Sequence, residues 1–336
     1  MIEGKLFKKL DNDGVLCLLC AHYCKITPGN TGKCRVRKNI AGELYSLNSD
    51  KIIAVSADPI EKKPLYHFLP ASTSYSIAAM GCNFNCDFCQ NSSIAIISDI
   101  SNKILGERLS AKEIIKGALS YNATSIAYTY TEPTVFFELV ENVSSLAKQN
   151  GLKNVMVTNG YMSDEAIEKL ALNIDAVNID IKAFSDNFYK KFCKGSLQPV
   201  LNAVKKFKQA GIHIELTTLL IDGLNDNLKE ITNLIEFIIE TDENIPWHIS
   251  RFYPTYNLKD KPPTSIENIY KFVELGYEMG LKYIYSGNIQ DNKYSNTICP
   301  NCKSTLIERN GYTTKIINLK SEKCSVCNKT IKGIWK

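Results

Sequence analysis

The chain has 336 residues, 44% of them hydrophobic and 22% charged, with a net charge of +5. That is the balance of a soluble globular protein rather than of a disordered or membrane-embedded one. No apolar run reaches the length of a membrane helix, and the start, Met1-Ile2-Glu3-Gly4-Lys5, lacks the apolar core of a secretory signal, so a cytoplasmic location with no membrane partner is expected. The charge is uneven: residues 1–40 carry +5 and residues 293–336 carry +7, around a middle of −7. Basic ends can meet nucleic acid or an acidic protein. The lysines are scattered and few aromatics interleave with them, which fits better the solvation of small metal modules with thin cores, so nucleic acid is not the favoured partner.

Twelve cysteines fall into three clusters plus Cys193, which reads as a small buried hydrophobe. Clustered cysteines in a chain without a signal point to metal ligation rather than disulfides. Residues 1–73 form a cysteine-rich head and a connector. The head's frame is Cys17-x2-Cys20-x3-Cys24-x9-Cys34, with Gly29 and Gly32 letting the chain double back. Four thiolates suffice for a tetrahedral zinc or a second iron–sulfur cluster, and both readings stand; His22 could replace one thiolate. The connector, with Asp58-Pro59 and Lys63-Pro64, predicts turns and short strands.

Residues 74–290 alternate short β-branched runs with segments of helical period. Strands are predicted at Tyr75–Met80, Ser125–Tyr130, Asn154–Thr158, Ala176–Ile181, His213–Leu220 and Trp247–Phe252, with a seventh candidate at Lys282–Ser286. Helix starts are visible in the capping box at Ser110 and Glu113, in Pro133 ahead of a helix over Val135–Leu146, and in Ser163 and Ser265. Repeated strand–helix units imply a parallel sheet with right-handed crossovers, hence an α/β fold built as an open, partial (β/α)6 barrel. The functional site of such a sheet lies at the C-terminal ends of its strands.

The first of these strands runs into Gly81-Cys82-Asn83-Phe84-Asn85-Cys86-Asp87-Phe88-Cys89. Three thiolates spaced C-x3-C-x2-C on one loop can hold three irons of a [4Fe–4S] cube and leave the fourth open. A zinc loop is disfavoured, because zinc sites pair one C-x2-C with another. Residues 291–336 do pair them: Cys299-x2-Cys302 and Cys324-x2-Cys327 predict a four-thiolate zinc ribbon, a module too small to fold on its core alone.

The C-x3-C-x2-C loop, with Phe88 before its third cysteine, resembles the radical S-adenosylmethionine (radical SAM) superfamily. That resemblance implies SAM on the open iron, reductive cleavage to methionine and a 5′-deoxyadenosyl radical, and hydrogen abstraction from a substrate, with Cys82, Cys86 and Cys89 as the catalytic ligands. In Thr131-Glu132-Pro133, Glu132-Pro133 matches the family's G-G-E-P segment against the SAM amino group, while Tyr130-Thr131 replaces its glycines. Asn159, Asp180 and Lys182 stand at strand ends where ribose or carboxylate would lie; an Asp180–Lys182 ion pair plugging the barrel is the competing reading. His248 and Arg251 are candidate contacts to SAM or substrate.

More narrowly, Cys17-Leu18-Leu19-Cys20, Gly32-Lys33-Cys34-Arg35-Val36-Arg37, Asp58-Pro59-Ile60-Glu61-Lys62-Lys63-Pro64-Leu65-Tyr66-His67-Phe68, Trp247–Pro254 and the terminal cysteines resemble the radical SAM enzyme of the AmmeMemoRadiSam system, a relative of the pyruvate formate-lyase activating enzymes. The resemblance implies a SAM radical initiator with Memo-type and AMMECR-type companions and a flavodoxin- or ferredoxin-type reductant, and it leaves the substrate open; a protein that receives a glycyl radical is the first reading. Radical modification of RNA or of a small metabolite is the alternative within the enzymes. A non-catalytic iron–sulfur or zinc regulator is the alternative outside them, and it would have no use for the pocket residues.

Overall fold

The apolar runs of the middle segment assemble into one eight-stranded sheet in a computed structural model that describes residues 1–97, 103–290 and 292–336. Its strands are β1 (Ala54–Pro59), β2 (Thr73–Ala78), β3 (Ser125–Tyr128), β4 (Lys153–Thr158), β5 (Ala176–Asp180), β6 (His213–Leu220), β7 (Trp247–Arg251) and β8 (Ile284–Gly287). They lie side by side in chain order; β2 to β8 run parallel, and β1 runs antiparallel to β2 at one edge. β8 forms the other edge, so the sheet is open. All seven expected strands are present, the Lys282–Ser286 candidate as β8, and the connector supplies the eighth.

Among the described residues, six helices of seven residues or more lie in the crossovers: α1 (Ala111–Ser120), α2 (Phe137–Gln149), α3 (Asp164–Leu170), α4 (Gln198–Gln209), α5 (Leu228–Asp242) and α6 (Ile266–Met279). Their starts follow the local chemistry. Ser110 Oγ accepts from Glu113 N at 3.3 Å while the Glu113 carboxylate accepts from Ser110 N at 2.8 Å, closing the expected capping box. Ser163 and Ser265 cap α3 and α6. Pro133 opens a short 3₁₀ turn, Pro133–Phe136, and α2 begins only after it.

Two buried arginines dock the ends of the chain. In the head, Arg37 pairs with Glu138 of α2, whose carboxylate also accepts from Lys5 N (2.7 Å) and Ser49 Oγ (3.0 Å). In the C-terminal module, Arg309 lies 4.1 Å from the ring centroid of Tyr66, donates to Tyr66 O (2.8 Å) and to Thr297 Oγ1 (2.8 Å), and closes the N-terminal end of the sheet. Beneath it the buried Glu215 of β6 accepts from Tyr66 N (3.0 Å) and His67 N (2.7 Å) and bonds His213 Nε2 (3.1 Å) and His248 Nε2 (2.7 Å). A fully buried carboxylate is tolerable only with such a complete set of partners.

His67 is fully buried in this floor, donating from Nδ1 to Lys332 O (2.9 Å) and bonding Tyr285 Oη at 2.7 Å through Nε2. Burial, against the pull of Glu215, pushes its pKa down to about 3. The unfolded chain binds the proton near pH 6.5 and the folded chain does not, so stability falls as pH drops below 6.5. From pH 7 to pH 5 this one group should cost about 2 kcal/mol. Urea unfolding at both pH values should show that loss in the wild type and its absence in His67→Gln; parallel losses in the two proteins would refute the assignment.

Candidate functional site

A cavity of about 320 Å³ opens at the C-terminal ends of the strands. β2 ends at Ala78, and the cysteine loop follows, bringing Cys82, Cys86 and Cys89 to the cavity wall together with Phe88. Phe88 is buried against Phe188, with ring centroids 5.7 Å apart. Two donors point at the first sulfur: Phe84 N lies 3.3 Å and Asn159 Nδ2 3.7 Å from Cys82 Sγ. Donors placed on a sulfur favour its thiolate form and fix its direction, as a metal ligand requires. Asn159 Nδ2 also donates to Asn83 Oδ1 at 2.7 Å, and its own Oδ1 accepts from Tyr161 N at 2.9 Å, so the amide is held from both sides.

Glu132 and Thr131 sit in the loop after β3. Thr131 lines the cavity and donates from Oγ1 to Ala79 O at 2.6 Å. Glu132 is buried, with Oε1 accepting from Thr134 N (3.0 Å), Thr134 Oγ1 (2.5 Å) and Thr158 Oγ1 (2.7 Å) and Oε2 from Asn159 N (2.8 Å). Burial pushes its carboxyl pKa up and these donors pull it back only in part. Gly160 turns the chain out of β4 at φ +68°, where an added Cβ would lie 2.9 Å from Ile179 Cγ2, so only glycine fits.

Asp180 ends β5, and Lys182 follows it; both line the cavity, joined by a 2.7 Å ion pair. Burial would lower the Lys182 pKa, but Asp180 and Cys86 outweigh it and hold the ammonium charged. The ion pair and the cavity position, alternatives in the sequence, are both present.

The family model described as Radical SAM superfamily matches residues 77–238, which span the cysteine loop, Glu132, Asn159 and Asp180. The chain carries a radical SAM domain over these residues. It is 43% identical over 334 residues, 98% of its own length and 99% of the other's, to an uncharacterized protein of Methanocaldococcus jannaschii. It is 25% identical over 224 residues, 66% of this chain and 82% of the other, to a protein of the same organism provisionally named a glycyl-radical enzyme activating enzyme. Among solved structures, SuiB of Streptococcus suis bound to S-adenosylmethionine shares the fold, with a TM-score of 0.52 and 16% identity over 68% of this chain and 53% of that one.

Two of the expected site residues lie outside the cavity. His248 shares the inward face of β7 with the cavity residue Ser250 but stands one layer deeper, spent on Glu215. Arg251 is the next residue after Ser250 and points away, donating from Nε to Thr264 O at 2.7 Å and lying against the Tyr253 ring. In their place the cavity gains Asn178 and Thr217, bonded to each other at 2.9 Å, and Lys62. Lys62 and the buried Lys63 both pair with Asp58, which also accepts from the Tyr130 hydroxyl; these partners hold the Asp58 carboxyl well below the usual range despite its burial. The density of charge in Asp58-Pro-Ile-Glu-Lys-Lys was the available signal for this group.

The C-terminal cysteines form a second centre. Cys299, Cys302, Cys324 and Cys327 bring their sulfurs within 4.8 Å of one another, with Cys299–Cys327 and Cys302–Cys324 at 3.6 Å. Both knuckles close alike: Lys303 N donates to Cys299 O (3.0 Å) and Asn328 N to Cys324 O (2.8 Å), and both residues have φ +61°. Cys302→Ser/Cys327→Ser should lower the metal content measured by inductively coupled plasma mass spectrometry by about one ion per chain. Unchanged metal content would remove these residues as ligands.

Proposed function

We propose that the protein is a radical SAM enzyme of the activating-enzyme kind, with a [4Fe–4S] cluster on Cys82, Cys86 and Cys89 and SAM in the adjoining cavity. The observation that carries this reading is the convergence, on one cavity, of three cysteines with Asn159, Asp180, Lys182 and the Glu132 loop. The donors on Cys82 Sγ suit a thiolate ligand. When bound, the cluster supplies the electron that splits SAM into methionine and a 5′-deoxyadenosyl radical, which takes a hydrogen atom from the substrate.

The chain's own residues bind and orient. Lys182 offers a cation for the SAM carboxylate, and Asp180 acceptors for ribose hydroxyls. Glu132 Oε2, with a single partner among the described residues, keeps a lone pair for the amino group beside Thr131. Phe88 and Leu219 supply apolar wall. His248 and Arg251, outside the cavity, have no part in SAM binding here.

The provisional name of the 25% identical relative supports a glycyl-radical protein as substrate class. The head motif and the Asp58–Phe68 segment support placement in the AmmeMemoRadiSam system, with Memo-type and AMMECR-type companions and a flavodoxin- or ferredoxin-type reductant. Zinc is the metal proposed for the terminal cysteines, since a zinc–sulfur distance near 2.3 Å in a tetrahedron gives edges of about 3.8 Å. No helix among the described residues is long and apolar enough to cross a membrane; a cytoplasmic setting suits oxygen-sensitive iron.

Anaerobic protein reconstituted with iron and sulfide, then given dithionite and SAM, should release 5′-deoxyadenosine, measured by mass spectrometry, while Cys86→Ala releases none. Absence of both product and SAM binding in the wild type would sink this reading. Asp180→Asn should raise the dissociation constant for SAM roughly tenfold or more, the value of one hydrogen bond to a charged group. Equilibrium dialysis checks it, and unchanged affinity would take Asp180 out of the binding site.

A further inference from the structure

The open sheet has two edge strands, β1 and β8, and a hairpin of the C-terminal module touches the chain beyond each. Its strands, Thr305–Asn310 and Thr313–Ile316, are antiparallel and joined by Gly311 and Tyr312. Near the tip, Asn310 Oδ1 accepts from Asn292 Nδ2 (3.2 Å), in the chain leaving β8. The Tyr312 ring centroid lies 5.9 Å from Lys62 Nζ, in the chain leaving β1. Lys62 and Asn288, which follow the same two strands, both line the cavity. Arg309, buried and bonded to Tyr66 O and Thr297 Oγ1, fixes the hairpin to the sheet. The hairpin tip is a fixed lip beside the cavity.

This lip is cationic. Lys62 shares the Asp58 carboxylate with the buried Lys63, so two cations stand against one anion at that wall, and the Lys62 side chain is 45% exposed. Residues 293–336 hold nine basic residues against two acids. Of the nine, Arg309 is buried, and Lys293 and Lys332 pair with Glu274 and Asp242. Lys303, Lys315, Lys320, Lys323, Lys329 and Lys336 are exposed and have no ion pair among the described residues.

The strand Thr313–Ile316 is the outer one of its three-stranded sheet and is paired on one side. Beside its free edge Ile316 is 46% and Ile317 49% exposed. A free edge with aliphatic side chains is a surface on which an extended peptide adds as a further strand. Lysines on such an edge deter other basic or apolar strands, whereas an acidic strand turns them into partners. Among the exposed large hydrophobic residues of this module, Tyr312 alone is aromatic; the others are Ile316, Ile317 and Val326. Single-stranded nucleic acid needs a row of stacking platforms, so this face fits a protein better. We propose that the substrate is an acidic, extended segment of another protein, added as a strand along residues 313–317 and led past Tyr312 and Lys62 into the cavity.

This inference rests on the radical SAM reading of the cavity and names its substrate class; the test keeps the two apart. The probe is a fluorescein-labelled peptide of alternating glutamate and valine around a central glycine, titrated with the full-length protein and followed by fluorescence anisotropy. It should bind at least about tenfold more tightly than the same peptide with lysine for glutamate, and added salt should weaken it. In the wild type it should slow hydrogen exchange at the amides of residues 313–317. Lys315→Glu/Lys320→Glu should bind it at least about tenfold more weakly. Should that variant misfold by circular dichroism, the exchange pattern of the wild type decides. No binding, equal binding of the two peptides, protection confined to other segments, or tighter binding of labelled oligo(dT) would overturn the proposal. Peptide binding needs neither cluster nor SAM. A wild type that binds the peptide along this strand, yet binds no SAM and releases no 5′-deoxyadenosine, keeps the docking strand and loses the radical reading. One that releases 5′-deoxyadenosine and ignores the peptide keeps the radical reading and overturns the docking strand.

Discussion

Glu132 is a buried carboxylate shared among donors from two strand ends, and the cavity takes its form from it. Its Oε1 draws in Thr134 and Thr158, and its Oε2 fixes the Asn159 amide nitrogen. Asn159 in turn aims its side chain at Cys82 and Asn83. One carboxyl thus sets the path of the loop after β3, the exit of β4 and, through Asn159, the direction of the Cys82 sulfur on the loop after β2. Burial of that charge without partners would cost several kcal/mol, which is why the loops cannot vary independently.

The cysteine spacing and the strand order were legible in the sequence because each is local: paired cysteines have only two or three residues between them, and a strand followed by a capped helix has one sensible crossover. The depth of a polar residue was not legible. His248 and Ser250 share a face by the two-residue period, yet one meets Glu215 in the floor and the other the cavity. Which layer a residue occupies depends on register with neighbours far along the chain, here Thr217 opposite His248 and Leu219 opposite Ser250. Arg251 falls one residue on and so faces α6. Asn178, Thr217 and Lys62 escaped notice for the same reason: they become neighbours only once β5, β6 and the connector are in place.

The uneven charge finds part of its use inside the molecule. The basic ends meet the acidic middle at Arg37–Glu138, Lys5–Glu141, Lys332–Asp242 and Lys293–Glu274. The exposed pairs contribute little individually. The buried Arg37 is different, since removing Glu138 would strand a charge. The charge asymmetry is therefore in part a pattern of pairing between the two ends of the chain and its middle.

Arg309 and the stretch from Ile331 to Trp335 carry a consequence for how the chain is made. These residues leave the ribosome after every strand of the sheet, yet they seal its floor over Tyr66 and His67. Domains tend to fold as they emerge. The nascent sheet must therefore wait with its floor ajar, holding Glu215 and its histidines near water, until the C-terminal segment arrives. The mouth, where the cysteine loop lies, is built entirely from earlier segments, so the end of the molecule that would receive iron takes shape before the opposite end can shut.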